Sequence, residues 1–215
     1  MWFRHDLRIT DNPALNEACR SGDIIPIYIQ DNHNNQSKQI GSASKWWLHQ
    51  SLISLNKDLD GGLITLTGDP KKIIPKLVNE SGASSVVWNR NYEPWQITRD
   101  KTINTKLEGN GLKVKTFNGS LLWEPWKILN QSGTPYKVFT PFYRKGCLNA
   151  DSPRIPEAKP NKINVVTLND GFDVESLDLM PKIEWYKSME KTWNPGEEGA
   201  KRKLYQFLDG PVNHY

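Results

Sequence analysis

The residues best suited to chemistry in this 215-residue sequence follow short apolar runs. Asn91 and Glu93 come directly after the apolar run at 85–89. A carboxylate and an amide on one loop can bind the N–H and C=O edges of a heterocycle. Lys45 and Trp46 lie at the start of a helical pattern, where a cation can bind an anionic tail and an indole can stack on a ring. These residue types can contact a ligand near the strand ends, but on their own they do not identify the ligand.

Arg4 and Arg8, which follow the first apolar run, are further candidates for binding an anionic group. Asp6 lies between them, so the three residues can instead form a structural cluster of ion pairs. The sequence leaves both interpretations open.

Common catalytic and metal-binding signatures are missing from the sequence. It has no Walker loop, no G-x-G-x-x-G at the first helix and no Cys/His spacing typical of zinc. We therefore assign no catalytic residue and no metal ligand. The two cysteines, Cys19 and Cys147, are far apart and are expected to be reduced thiols.

Composition indicates an ordinary globular protein. The sequence is 37% hydrophobic and 24% charged, which argues against a disordered chain. It has no apolar run of the ~18 residues that a membrane span needs, and its start does not resemble a secretion signal. A net charge of +4 is a weak sign of nucleic-acid contact or simply an ordinary basic surface. We expect a cytoplasmic monomer.

Short apolar runs alternate with helical patterns over the first 118 residues. This alternation requires parallel strands with right-handed crossovers, which predicts an α/β fold with a five-stranded, doubly wound, Rossmann-like sheet. Ligands of such sheets bind beyond the carboxyl ends of the strands. Asp11 is the expected cap of the first helix. The predicted strands are 2–4, 24–29, 63–67, 85–89 and 113–117. The predicted helices are 13–21, 42–59, 70–81 and 94–107.

The alternation ends near residue 120, which divides the chain into three parts. Residues 1–120 form the predicted α/β domain. Residues 121–190 are rich in proline and lack periodicity, so we expect an irregular excursion and a linker. Residues 191–215 contain a helical pattern with nothing in the sequence to cover its apolar face.

Four sequence blocks, in a fixed order, span almost the whole chain. The first is WFRHDLR followed by DNPAL, and the second is WNRNYEPW followed by Arg99 and Asp100. The third is PYKVFTPF at 135–142, and the fourth is W-x-P-G-E-x-G-A at 193–200 with Leu204 and Phe207. Together these four blocks resemble the photolyase/cryptochrome family.

The resemblance implies the antenna domain of a deoxyribodipyrimidine photolyase, most like the class I enzymes that repair cyclobutane pyrimidine dimers. In that family an antenna pigment passes light energy to FAD, which an all-α domain binds, and the flavin reduces a dimer flipped out of DNA. The 191–215 helix would then be the first helix of an absent FAD domain, and the first strand would lack residues before Met1. We expect the fragment alone to be inactive, with damaged DNA bound through the absent domain. The alternatives are a cryptochrome-type photoreceptor and a stand-alone nucleotide-binding domain.

The resemblance also implies roles for individual residues. Asn91 and Glu93 match positions where family members contact the antenna pigment. Folate-binding relatives carry an acidic residue a few positions after the Tyr-Glu pair, where this chain has Trp95 and Gln96. The difference favours an 8-hydroxy-deazaflavin over methenyltetrahydrofolate, with FMN as a further alternative. Tyr215 matches a tyrosine that contacts FAD, as an isolated first contact.

Overall fold

The structure, a computed structural model, describes residues 1–31, 40–168 and 171–214. Strands and helices alternate over residues 2–117, as predicted. The strands are β1 (Trp2–Phe3), β2 (Ile27–Gln30), β3 (Ile64–Thr67), β4 (Ser85–Asn89) and β5 (Lys113–Phe117). The helices among them are α1 (Pro13–Ser21), α2 (Ser42–Asp58), α3 (Pro70–Ser81) and α4 (Pro94–Gly109). After β5 come α5 (Phe139–Pro141), α6 (Lys187–Thr192) and α7 (Glu197–Leu208). None of the helices in the described ranges is long and apolar enough to cross a membrane.

The strands form two parallel ladders, so the predicted continuous five-stranded sheet is not confirmed. One ladder has the order β1-β2-β3 and the other joins β4 to β5. β1 lies beside β4, where the rings of Trp2 and Trp88 meet edge to face at 5.7 Å, but no ladder joins these two strands among the described residues. β1 contributes only two residues, and both pair with β2. Its other edge therefore offers too few backbone groups for a second ladder.

Most element boundaries lie within two residues of the sequence prediction, and local chemistry explains one larger shift and one different helix cap. β2 begins at Ile27 rather than at residue 24, because Pro26 has no N–H to donate to a ladder. The first helix is capped by Asn12, whose side chain accepts from the backbone N–H of Leu15 at 3.1 Å. Asp11 was the wrong choice of cap: it has a φ of 50° and lies outside the helix.

Alternate residues of the strands build two separate cores, one on each face. Phe3, Tyr28 and Val87 point to the face covered by α1 and α2. Trp2 and Trp88 point to the face covered by α3 and α4. This period of two, on strands that are buried on both faces, is what holds the carboxyl ends of β1, β2 and β4 in fixed positions.

The segment predicted as a linker packs partly into the first core. Val174, Leu177 and Leu179 are buried and join the cluster that α1 and α2 form. Val165 forms a parallel bridge with Ile24 and fits against Gly62, where a Cβ would lie 2.2 Å from its Cγ1. The absence of periodicity therefore marks irregular backbone here, while its apolar side chains are still buried.

The last helix, α7, is attached to the loop after β1 through the side chains of Glu197 and Lys201, and Lys201 donates to the Thr10 hydroxyl at 3.2 Å. Glu197 accepts from the backbone N–H of Ile9 at 2.7 Å and of Thr10 at 3.2 Å, and pairs with Lys201 at 2.8 Å. Gly196 lies against Ser54 of α2, so close that a Cβ would be 2.3 Å from its hydroxyl. Helix α7 therefore has a defined position against the α/β part.

Candidate functional site

The carboxyl ends of β1 and β4 meet at a buried carboxylate. Asp6 accepts from the backbone N–H of Arg4 at 2.9 Å, from the amide of Asn89 at 2.6 Å and from the amide of Asn12 at 3.3 Å. All four residues are buried. We call this group the Asp6 network. Three donors around one carboxylate satisfy a charge that would otherwise be costly to bury.

The Arg4 side chain belongs to the same network. Its guanidinium donates to the carboxylate of Asp100 and to the backbone carbonyl of Asn89, and it lies 4.8 Å from the centre of the Trp2 ring. Burial lowers the pKa of Arg4, and the Asp100 carboxylate beside it opposes that shift. An arginine still keeps its charge, so these contacts use Arg4 for an internal ion pair rather than an open anion site.

Arg99 of α4 extends the charged contacts towards β2. Its guanidinium pairs with Asp31 at 3.1 Å and with Asp100 at 2.9 Å. It also lies 4.9 Å from the Trp2 ring and 5.2 Å from the Trp95 ring. Two guanidinium groups therefore contact Trp2, which fixes the start of α4 against the ends of β1 and β2.

The Arg8 guanidinium donates hydrogen bonds to backbone carbonyl oxygens. It donates to the carbonyl of Thr10 at 3.1 Å, and to the carbonyls of Asp11 and Gly119 at 2.7 Å each. These bonds connect the loop after β1 to the loop after β5. These direct contacts support the interpretation of Arg4, Asp6 and Arg8 as a structural cluster. Their role in binding a ligand stays a prediction.

Asn91, Glu93 and Gln96 form a chain of hydrogen bonds at the end of β4. The amide of Asn91 donates to the Oε1 atom of Gln96, and the Nε2 atom of Gln96 donates to the Glu93 carboxylate at 2.7 Å. We call this chain the Asn91 relay. Gln96 is buried, Asn91 is half-buried and Glu93 is exposed. The structure thus brings three of the predicted site residues together beside an open surface.

The relay fixes the orientation of its two amides. An ionised carboxylate only accepts hydrogen bonds, so the Gln96 Nε2 atom must face Glu93 and its Oε1 atom must face Asn91. The Asn91 Oδ1 atom and the remaining capacity of the Glu93 carboxylate are then available as acceptors. The loop can therefore bind a heterocycle by accepting hydrogen bonds from the N–H groups of that heterocycle.

Lys45 and Trp46 do not join that relay. Trp46 is 1% exposed and stacks on Tyr186 at 6.5 Å, while its neighbour Trp47 is 39% exposed. Trp46 is therefore buried in the core, whereas the neighbouring Trp47 is exposed. In the described part of the chain, no hydrogen bond, ion pair or ring contact joins Lys45 or Trp46 to the relay.

The sequence prediction missed a second cluster of side chains, which lies at the ends of β4 and β5. Arg90 pairs with Glu124 at 2.7 Å, and the Tyr92 hydroxyl donates to the same carboxylate at 2.8 Å. Burial, and then the hydrogen bond to Glu124, raise the pKa of Tyr92 to about 12. The ring of Trp126 lies 6.0 Å from that of Tyr92. Arg90 and Tyr92 flank Asn91 in sequence, but nothing local indicates that Glu124 is their partner.

Two further predictions concern metal ligands and Tyr215. Within the described ranges, no cluster of three or more His, Cys, Asp or Glu side chains could hold a metal ion. Tyr215 lies outside the described residues. A surface depression of about 830 Å³ runs along α7 and is lined by residues between Glu198 and Asp209.

Comparisons with known proteins give a consistent result. The family model described as DNA photolyase matches residues 1–161. The whole chain is 38% identical to the deoxyribodipyrimidine photo-lyase of Agrobacterium fabrum, of which it covers 45%, and 32% identical to cryptochrome-2 of Arabidopsis thaliana, of which it covers 37%. The chain thus spans less than half the length of these relatives.

Solved structures show the same similarity. A class III photolyase from Agrobacterium tumefaciens superposes on 97% of this chain with a TM-score of 0.89 at 39% identity, and the match covers 44% of that protein. A cryptochrome from Synechocystis superposes with a TM-score of 0.72 at 23% identity, which supports the fold alone.

Proposed function

The chain belongs to the DNA photolyase family, and from that premise we propose that its α/β part is the light-harvesting antenna domain of a deoxyribodipyrimidine photolyase. The observation that carries the proposal is the Asn91 relay, which presents acceptors beside an open surface at the carboxyl end of β4. That is where an α/β sheet binds its ligands.

The relay favours an 8-hydroxy-deazaflavin as the pigment. The pyrimidinedione edge of such a ring carries one N–H between two carbonyl groups, and Glu93 or the Asn91 Oδ1 atom can accept that N–H. A folate presents an adjacent amine and N–H, for which a second carboxylate is the better partner. Gln96 is neutral, and both its polar atoms are already used within the relay. FMN shares the pyrimidinedione edge and remains the second pigment to test.

The repair chemistry of the whole protein is part of the same proposal. In the whole protein, a bound flavin would supply the electron that splits a pyrimidine dimer. The chain covers 45% of the Agrobacterium fabrum relative, and we place the flavin in the remainder. The residues described here bind and orient the pigment. FAD contact by Tyr215, damaged DNA as the substrate, a monomeric state and a cytoplasmic location belong to the proposal. The class of photolyase also belongs to the proposal, because the sequence resembles class I enzymes whereas the solved relative is a class III enzyme.

A cryptochrome-type photoreceptor is the second candidate function. The 32% identity to cryptochrome-2 over the whole chain supports it. The same α/β part would then serve signalling instead of repair.

Titration of the purified chain with three pigments tests the proposal. We expect 8-hydroxy-deazaflavin to bind more tightly than methenyltetrahydrofolate, with FMN as the third ligand. Glu93→Ala should weaken deazaflavin binding about tenfold, because one hydrogen bond to a charged group is lost. Folate binding tighter than deazaflavin would overturn the choice of pigment. Light-dependent repair of dimers by the 215-residue chain alone would overturn the proposal that repair requires a further part of the protein.

A further inference from the structure

One carboxylate holds the chain on both sides of Asn91. The Glu124 Oε1 atom accepts from the Arg90 Nε atom at 2.7 Å and from the Tyr92 hydroxyl at 2.8 Å. We call these three residues the Glu124 clamp. Arg90 and Tyr92 reach the same oxygen, whereas the Asn91 amide between them reaches Gln96 of α4. Alternate side chains of an extended chain point to opposite sides, so the clamp restrains this chain from the side opposite the Asn91 relay.

The clamp matters most just beyond the end of β4. The backbone N–H of Arg90 donates to the Phe117 carbonyl at 2.7 Å, which continues the pairing of β4 with β5 by one residue. The Arg90 Nη1 atom also donates to the carbonyl and the hydroxyl of Thr116 at 2.6 and 2.8 Å. Arg90 is therefore anchored without Glu124. Tyr92 lies beyond the ladder, so the bond from its hydroxyl to Glu124 takes over where the backbone pairing ends.

Glu124 is itself held in place. Its side chain is only 12% exposed, and its backbone carbonyl accepts from the Lys127 N–H at 2.8 Å. The Asn118 side chain closes the turn that leads towards it: its Oδ1 atom accepts from the backbone N–H of Leu121 at 2.9 Å, and its amide donates to the Leu121 carbonyl at 2.7 Å. The same Oδ1 atom lies 3.2 Å from the Tyr92 hydroxyl. The loop after β5 thus presents Glu124 as a fixed acceptor to the loop after β4.

The clamp acts through one oxygen atom rather than through charge alone. Both donors use the Oε1 atom of Glu124, and the side chain of a glutamine provides the same acceptor. Burial and the bond to Glu124 raise the pKa of Tyr92 to about 12, so its hydroxyl keeps the proton that it donates. Glu124→Gln therefore preserves both hydrogen bonds, while Glu124→Leu removes both.

From this geometry we infer that Glu124 is a positioning residue for the pigment site. It holds residues 90–92 so that the Asn91 amide stays bonded to Gln96 and the Asn91 Oδ1 atom stays available to the ligand. Glu124 acts on the ligand only through Asn91. Without the clamp the loop samples several conformations, and the affinity falls in proportion to the fraction that keeps the binding conformation. The inference rests on the proposed function and adds to it a residue outside the loop that the sequence indicated.

The first measurement needs no pigment. In nitrogen-resolved NMR spectra of the 215-residue chain, the Asn91 side-chain amide should give a signal apart from those of amides that face water. Glu124→Leu should move this signal towards the exposed amides, because Asn91 is no longer held against Gln96. Glu124→Gln should leave it at the parent position. A signal that stays in place in Glu124→Leu would overturn the inference.

Titration with 8-hydroxy-deazaflavin measures the consequence for binding. Glu124→Leu should bind about tenfold more weakly than the parent, which corresponds to about a tenth of the molecules keeping the binding conformation. Glu124→Gln should stay within about twofold of the parent. Equal affinities for Glu124→Leu and the parent, or equal losses for the two variants, would overturn the positioning role.

Glu17→Leu is the matched control. It also removes a carboxylate, on a side chain that is 17% exposed, from an ion pair with a residue of β5, here Lys115. Its affinity and its Asn91 signal should equal those of the parent. Urea denaturation shows which variants are folded. If Glu124→Leu is not folded, Tyr92→Phe takes its place, because it removes only the hydroxyl, and its Asn91 signal must then move.

The two readouts separate this inference from the proposed function. A parent chain that binds none of the three pigments overturns the proposed function, and the positioning role with it. A parent chain that binds the pigment, together with an unmoved Asn91 signal and an unchanged affinity in Glu124→Leu, overturns the positioning role alone.

Discussion

The Asp6 network and the Asn91 relay lie at the same edge of the sheet, yet they differ in what they leave open. Around Asp6, every residue is buried and the contacts run between protein groups: Arg4, Asn12 and Asn89 all donate to one carboxylate. In the relay, only Gln96 is buried, and the chain of hydrogen bonds ends at an exposed Glu93.

This difference separates scaffold from binding surface. The Asp6 carboxylate is surrounded by three buried donors and has no open face for a ligand, although the Arg4 Nε atom has no hydrogen-bond partner among the described residues. A relay with an exposed end keeps its orientation and still offers acceptors. Substitutions in the Asp6 network should therefore change stability, and those in the relay should change affinity.

Asp6→Leu should have the largest effect. It leaves the backbone N–H of Arg4 and the amide of Asn89 buried without this acceptor, so the free energy of unfolding should fall by about 4 kcal/mol. Urea denaturation followed by circular dichroism measures the change. Asp6→Asn keeps one acceptor oxygen and should lose less. A loss below about 1 kcal/mol for Asp6→Leu would show that the network is not structural.

Glu197→Gln tests the other support of the loop after β1. Burial raises the pKa of Glu197, but hydrogen bonds from Lys201, Thr10 and Ile9 outweigh it, so the pKa in the folded protein lies below 4.5. The carboxylate thus contributes stability that is complete above pH 4.5 and is lost as the pH falls through the lower folded value.

At neutral pH, Glu197→Gln should lower the free energy of unfolding by about 2 kcal/mol, because charge-assisted hydrogen bonds to two backbone N–H groups weaken. The difference from the parent should shrink as the pH falls below 4.5. Unfolding curves at a series of pH values provide the measurement. Glu198→Gln, at an exposed neighbour, is the control and should behave like the parent. A pH-independent difference would contradict the role of the carboxylate.

Gln96→Leu should have a smaller effect on stability than either of these substitutions, and a selective effect on binding. Glu93 and Asn91 stay in contact with water when Gln96 is lost, so the free energy of unfolding should change by about 1 kcal/mol or less. Asn91 loses its fixed orientation, and deazaflavin affinity should fall about tenfold. Calorimetry and urea denaturation of the same preparation check both values. A large loss of stability with unchanged affinity would assign Gln96 to the scaffold instead.

The sequence predicted the alternation of strands and helices well, because short apolar runs and helical periodicity are local properties, although it assigned the cap of α1 to Asp11 instead of Asn12. It placed Asn91, Glu93 and Gln96 in one loop for the same reason. Contacts across long separations were beyond it. The bond from Asn89 to Asp6 spans 83 residues and that from Ile9 to Glu197 spans 188, and no local pattern encodes either. Nor could it show that Val174 and Leu177 are buried, since irregular backbone has no period.

The most direct test of the central claim is a titration of Glu93→Gln beside the parent chain with 8-hydroxy-deazaflavin. The substitution keeps the size of the side chain and removes the charge that orients Gln96. We predict binding about tenfold weaker than that of the parent, with the urea midpoint unchanged. Equal affinity for the two chains, or a loss of stability like that expected for Asp6→Leu, would contradict the assignment of the relay as the binding surface.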